Sequence, residues 1–200
     1  MSMFLENYYL SRLPFKDVSF DKWMNIEEFI SSCKNKYVNP LTRLTLISDG
    51  SLVRILRALY LSEIAVQVED QRLGSMPAKM AKYLDTSEDA EATARDAWLC
   101  CNGHNIVYAH SVIYSSNIEG IIQKGIDRKR KPVGILLGEY NIPIIKDQVF
   151  IVRLKSDDLA EQFAVHENLF WSRCYRLRGG EGFNSAIFEV FSPDLLTFGS

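Results

Sequence analysis

Metal-ligand spacing is missing from this sequence. Its cysteines, Cys33, Cys100, Cys101 and Cys174, form no CxxC, no Cys/His pair falls at zinc-finger spacing, and no HExxH occurs, so no metal site is expected. A surplus of either charge is also missing. With 23 basic residues against 25 acidic ones, the chain lacks the diffuse positive field of a nucleic-acid binder. Its one basic run, Arg128-Lys129-Arg130-Lys131, is short, flanked by Asp127 and Pro132, and reads as a solvated loop. No apolar stretch approaches bilayer-spanning length, and MSMFLENYYLSRLPF holds no basic segment followed by an apolar run. Neither membrane insertion nor a secretory leader is expected. The cysteines read as reduced core residues, which suits a cytoplasmic location, or a plastid stroma if the chain is organelle-encoded. There is no Ser/His/Asp order and no nucleophile elbow. Gly179-Gly180-Glu181-Gly182 lies between two strand-like runs, not before a helix, which argues against a phosphate-binding loop.

What is present is apolar and aromatic. Across 200 residues, 47% are hydrophobic and 12% aromatic, enough to bury a real core with no low-complexity tract. Without basic interleaving, the aromatics read as core and not as base-stacking platforms. Residues 1–40 are aromatic-rich but aperiodic, with one expected helix from Asp21 to about Cys33. They read as a helical preface packed on a domain that spans 41–200.

Within that domain the patterns sharpen. Ser48-Asp49-Gly50-Ser51 offers a cap for a helix carrying Leu52, Ile55, Leu56, Leu59 and Tyr60 on one face. IAVQVEDQRL alternates as a strand with one wet face, and MPAKMAKYL reads as a short helix behind Pro77. ATARDAWLCCNGHNIVYAHSVIY then reads as two long strands joined by Asn102-Gly103, the strongest short-range hairpin signal. Helices are expected over 117–124 and 132–138, followed by the strand IPIIKDQVFIVRL and a helix behind Asp157-Asp158. LFWSRCYRLR and FNSAIFEVF close the chain as a second hairpin. No βαβα alternation appears. The expected fold is therefore α+β: a single antiparallel sheet of about six strands with helices packed on one side.

Two charges stand among apolar neighbours. Alternation puts Arg95 on the face of Ala97, Leu99 and Cys101, and Glu189 on the face of Phe183, Ser185, Ile187 and Phe191. A buried charge must be paired, hydrogen-bonded or placed at a cavity mouth. The residues alone leave open an Arg95–Glu189 structural ion pair between neighbouring strands, a face that is simply wet, or a small-ligand pocket in which Arg95 grips an anion and Glu189 meets a hydroxyl or moves a proton. His110 alternates with Tyr108 and Val112, as either a satisfied core histidine or a pocket residue. His104 adjoins the turn, and His166 lies in a loop.

The run RDAWLCCNGHNIVYAHSVI resembles the central hairpin of the chorismate lyase family (chorismate–pyruvate lyase, 4-hydroxybenzoate synthetase). Three more stretches resemble the family in the expected order: SDGSLVRIL entering an early helix, KPVGILL, and the closing RLRGGEGFNSAIFEVFSP. The resemblance runs from about Leu41 to Leu195. It implies that Arg95 binds the ring carboxylate and that Glu189 stands at the hydroxyl end of the product. It implies too that Leu52 and Val133 wall and cover the pocket, with the Leu52 amide as a carboxylate donor. Where enterobacterial members carry a second arginine on the return arm, this chain has His110, which is expected to take a substrate-binding place.

The activity so implied is elimination of pyruvate from chorismate, giving 4-hydroxybenzoate for ubiquinone or plastoquinone synthesis. It needs no cofactor. The partners are a small-molecule substrate and an aromatic acid product, with no nucleic acid and no stable membrane insertion; oligomeric state is not readable. The fold also resembles the effector-binding domains of some winged-helix repressors, so a non-catalytic module binding a small aromatic acid stands as the alternative. A lyase acting on another aromatic or enolpyruvyl acid stands behind it.

Overall fold

A computed structural model describes residues 2–34, 38–115, 133–139 and 142–196. The strands are β1 (Ser19–Phe20), β2 (Met24–Asn25), β3 (Ala65–Ser75), β4 (Glu91–Cys101), β5 (His104–Ser115), β6 (Ile144–Lys155), β7 (Leu169–Gly179) and β8 (Phe183–Phe191). The helices are α1 (Ser2–Arg12), α2 (Ile26–Cys33), α3 (Pro40–Ile47), α4 (Leu52–Tyr60), α5 (Ala78–Tyr83), α6 (Val133–Glu139), α7 (Asp157–Phe163) and α8 (Pro193–Leu196). The expected helix over 117–124 and the basic run at 128–131 lie outside the described residues. Among the described residues, no helix is long and apolar enough to cross a membrane.

The central hairpin forms as its turn chemistry dictates. Asn102 (φ 50°) and Gly103 (φ 83°) both take positive φ, the geometry that a two-residue type I′ turn requires. From there the sheet grows by antiparallel neighbours in the order β1-β6-β7-β8-β5-β4-β3, with β2 also pairing β6. The class is α+β with one antiparallel sheet, as expected. Six of its eight strands are the expected long ones, and the other two are two-residue pieces on β6.

The placement of the helices differs from expectation. They cover both faces of the sheet, because the central strands are apolar at both parities. On β8, Ala186, Phe188 and Val190 turn one way and Phe183, Ile187 and Phe191 the other, all buried. The first face packs against α1, α5 and α7 through Leu5, Tyr9, Met80, Leu159 and Phe163. The second packs against α2, α3 and α4 through Phe29, Leu46, Leu52 and Leu56, and against α6 through Leu136 and Leu137. Uncovered, either set would leave a large apolar surface in water.

Residues 1–40 also hold more order than their pattern suggests. α1 buries Leu5, Tyr8 and Tyr9 at i, i+3 and i+4. Tyr9 is fully buried, stacks on Phe188 at 4.5 Å between ring centroids, and places its hydroxyl 3.2 Å from the Cys174 thiol. α2 begins later than expected, because Asn25 and Glu28 form a reciprocal capping box and the residues before it extend onto β6. If α1 is integral to the core, Tyr9→Ala should lower unfolding free energy by about 3–5 kcal/mol, and Tyr9→Phe by only about 1. Urea unfolding measures both; a Tyr9→Ala midpoint equal to that of the parent would refute this packing.

Candidate functional site

On the second face, the strand floor between Arg95 and Glu189 is made of small side chains. Arg95 on β4 stands opposite Ser111 on β5, and Glu189 on β8 stands opposite Ala109 on β5. With Ala97 beside them, these positions leave room above the sheet. The cleft so formed encloses about 760 Å³, its open mouth included. Leu52, Val53 and Ile135 wall it from the helices, and Val66, Leu99, Leu177 and Ile187 from the strands. Few polar groups converge on an otherwise apolar hollow, the usual form of a small-ligand site.

Arg95 and Glu189 do not sit on neighbouring strands; β5 runs between them. The structural ion pair involving Glu189 is instead with Arg173 on β7. Arg173 Nε donates to Glu189 Oε2 at 2.6 Å, and the Tyr175 hydroxyl donates to Oε1 at 2.9 Å. Arg173 Nη1 also donates to the backbone oxygens of Thr45 (2.6 Å) and Ser48 (3.1 Å) at the end of α3. Burial, the largest single influence, would loosen the guanidinium proton, but Glu189 and Tyr175 together outweigh it through charge and hydrogen bonding, and the Arg173 pKa is raised. Tyr175 is held well above the ordinary phenol range by burial first and then by Glu189. Arg95, 3% exposed, has its pKa lowered by burial, yet an arginine stays charged across the ordinary pH range.

A second cation reaches the same cleft. Lys146 on β6 donates from Nζ to the Gly50 carbonyl at 2.7 Å, with the ammonium 4.7 Å from the Tyr175 ring centroid. Its pKa falls to about 8, chiefly from burial and next from Arg173, against a smaller pull from Glu189 and Asp49. Neither Arg173 nor Lys146 was marked out by the sequence, although Arg173 shares its strand face with Trp171, Tyr175 and Leu177 and carried the signal that singled out Arg95.

Leu52 opens α4 behind the Ser51 cap and lines the cleft. At that position the amide has no carbonyl within its own helix to bond. Val133 opens α6, whose next two residues, Gly134 and Ile135, line the cleft. His110 is not there. Strand alternation turns Ala109 and Ser111 into the cleft and His110 to the opposite face, where its Nδ1 lies 2.8 Å from Asp96 Oδ1 and its Nε2 3.5 Å from the Tyr8 hydroxyl. It is a buried, hydrogen-bonded histidine that borders a second hollow on the far face and takes no place in this cleft.

A family model described as "Chorismate pyruvate-lyase Rv2949c-like" matches residues 46–199. The chain belongs to this family. A "Probable chorismate pyruvate-lyase" from Nitrosospira multiformis is 26% identical over 109 residues, covering 54% of this chain and 59% of that relative. The match thus spans less than two thirds of the relative's length. "Uncharacterized protein ycf21" from Cyanophora paradoxa is 24% identical over 173 residues, covering 86% and 87%. Among solved structures, the effector domain of PhnF from Mycobacterium smegmatis aligns with TM-score 0.57 at 9% identity, over 74% of this chain and 91% of that one. A GntR-family transcriptional regulator from Bacillus cereus aligns with TM-score 0.50 at 12% identity, over 70% and 98%. At such identities the likeness is one of fold.

The buried pair makes a sharp energetic prediction. Arg173→Met strands Glu189 and should cost about 3–5 kcal/mol of stability, whereas the double variant Arg173→Met/Glu189→Leu should recover most of that loss. Denaturant titration of the three proteins reads the coupling; additive losses would show that the two side chains do not act as a pair.

Proposed function

We propose that this chain is a chorismate lyase, eliminating pyruvate from chorismate to leave 4-hydroxybenzoate, a precursor of quinone rings. The observation that carries this reading is that Leu52, Arg95 and Glu189, from three separate stretches of sequence, face one apolar cleft. Membership of the family supports it. Arg95 holds the ring carboxylate, joined by the Leu52 amide. Glu189 stands at the ring hydroxyl, and Leu52 and Val133 flank the ring. His110 takes no part, since it lies on the far face.

The chemistry asks little of the protein. The ring carbon–oxygen bond to the enolpyruvyl group breaks, the hydrogen on the neighbouring hydroxyl-bearing carbon is lost, and the electrons left behind close the aromatic ring. Enolpyruvate departs and becomes pyruvate. Aromaticity drives the step, so the site contributes orientation and stabilisation of the departing charge. Both carboxylate oxygens of Glu189 are already engaged, by Arg173 and Tyr175. A carboxylate keeps further lone pairs, so Glu189 can also accept from the substrate hydroxyl without moving.

Purified protein incubated with chorismate should release pyruvate and 4-hydroxybenzoate in equal amounts, above the spontaneous background. Tight binding of 4-hydroxybenzoate with no conversion would favour a ligand-binding module instead. Arg95→Ala should lower kcat/KM by about 10²-fold with the fold retained by circular dichroism, the loss expected for a charge-assisted contact in a buried site. His110→Gln should lower thermal stability and leave KM within about twofold, since breaking a core hydrogen bond costs about 1 kcal/mol. A KM effect there as large as that of Arg95→Ala would overturn the placement of the site.

A further inference from the structure

Chorismate carries two carboxylates, and Arg95 answers one. We infer that Lys146 binds the other, the enolpyruvyl carboxylate that leaves as pyruvate; this rests on the chorismate lyase reading of the same cleft. Position supports it. Arg95 and Lys146 stand on β4 and β6, on either side of the β8 strand that carries Glu189, and both side chains line the one cleft. A dicarboxylate laid across that floor meets a cation at each end.

Lys146 also has the donors to spare. Its ammonium carries three hydrogens, and the Gly50 carbonyl takes one, so two remain for a carboxylate. Nor is it needed to neutralise Glu189, whose oxygens already receive Arg173 and Tyr175. The groups facing it are Arg173 and Tyr175 from β7, Glu189 from β8, the Asp49 carboxylate and the Gly50 carbonyl from the loop before α4, with Arg95 across the cleft. Burial and the Arg173 charge bring the ammonium to about 8, so it is mainly protonated at neutral pH. Such a contact separates substrate from product, because 4-hydroxybenzoate retains only the ring carboxylate. Lys146 thereby grips the leaving group and lets go of the aromatic acid.

The test compares parent, Lys146→Met and Lys146→Arg proteins for chorismate kinetics and for 4-hydroxybenzoate binding. Lys146→Met should raise KM for chorismate about tenfold or more, the size of a charge-assisted hydrogen bond, and change 4-hydroxybenzoate affinity less than about twofold. Lys146→Arg should restore most of the loss. In the parent, KM should climb as pH passes about 8 and the ammonium is lost, whereas the arginine variant stays flat over that range. An unchanged KM in Lys146→Met overturns the inference. Equal weakening of chorismate and 4-hydroxybenzoate overturns it too, since that marks a structural role through Gly50. If the parent protein converts no chorismate, the lyase reading itself fails and this one with it, a result visible before any variant is made.

Discussion

A single buried ion pair fixes the geometry on which the cleft depends. Arg173 is among the largest fully buried side chains, and its guanidinium joins Glu189 on the neighbouring strand to the last carbonyls of α3. The C-terminal end of a helix is its negative pole, so a cation there is favoured twice, by hydrogen bonds and by the helix dipole. The pair thus ties the centre of the sheet to the segment that leads through Gly50 and Ser51 into α4. Leu52 and Val53 reach the cleft because that segment is anchored. An apolar pair of similar volume would serve stability as well or better, since desolvating two charges is expensive. What only the pair supplies is a carboxylate held at a fixed place on the cleft floor.

Much of this was readable from the residues, and the exceptions have physical causes. Asn102-Gly103 set the central hairpin, and simple alternation put Arg95 and Glu189 on the correct faces because β4 and β8 run regularly through both positions. Lys146 escaped for the converse reason. β6 shifts register between Asp147 and Phe150, with Gln148 at positive φ, so Lys146 and Ile151 share a face although their numbers differ in parity. No period-2 pattern can carry a side-chain direction across such a bulge. α1 was missed because its buried face is made of Leu5 and two tyrosines, whose hydroxyls blur an apolar stripe that is nonetheless helical in spacing. Arg173 was the avoidable loss: its neighbours on the strand face are as apolar as those of Arg95.

The far face of the sheet explains what became of His110. Asp96 and His110 are cross-strand partners, and Asp96 also accepts from the Tyr108 hydroxyl. Tyr8 of α1 completes the group, its own pKa pushed up to about 12 chiefly by burial. His110, Asp96, Tyr108 and Tyr8 thus each find a neighbour, which is what burying a polar group requires. The histidine is spent on fixing α1 to the hairpin. A residue cannot both close that network and reach through the sheet to a ligand, so whatever second cation the cleft uses must come from another strand.

That constraint also bears on how one fold serves both regulators and a lyase family. The effector domain of PhnF and this chain are alike in fold with almost no sequence in common. A sheet face floored by small residues gives any such protein a hollow, and binding needs only matching groups around its rim. An elimination asks for more, because charge moves from the ring toward a departing group and must be met where it arrives. In this cleft the polar groups come from separate strands, Arg95 from β4, Glu189, braced by Arg173, from β8, and Lys146 from β6. Under the proposed elimination, cations on two different strands leave each acid fragment one of its own as the bond between them breaks.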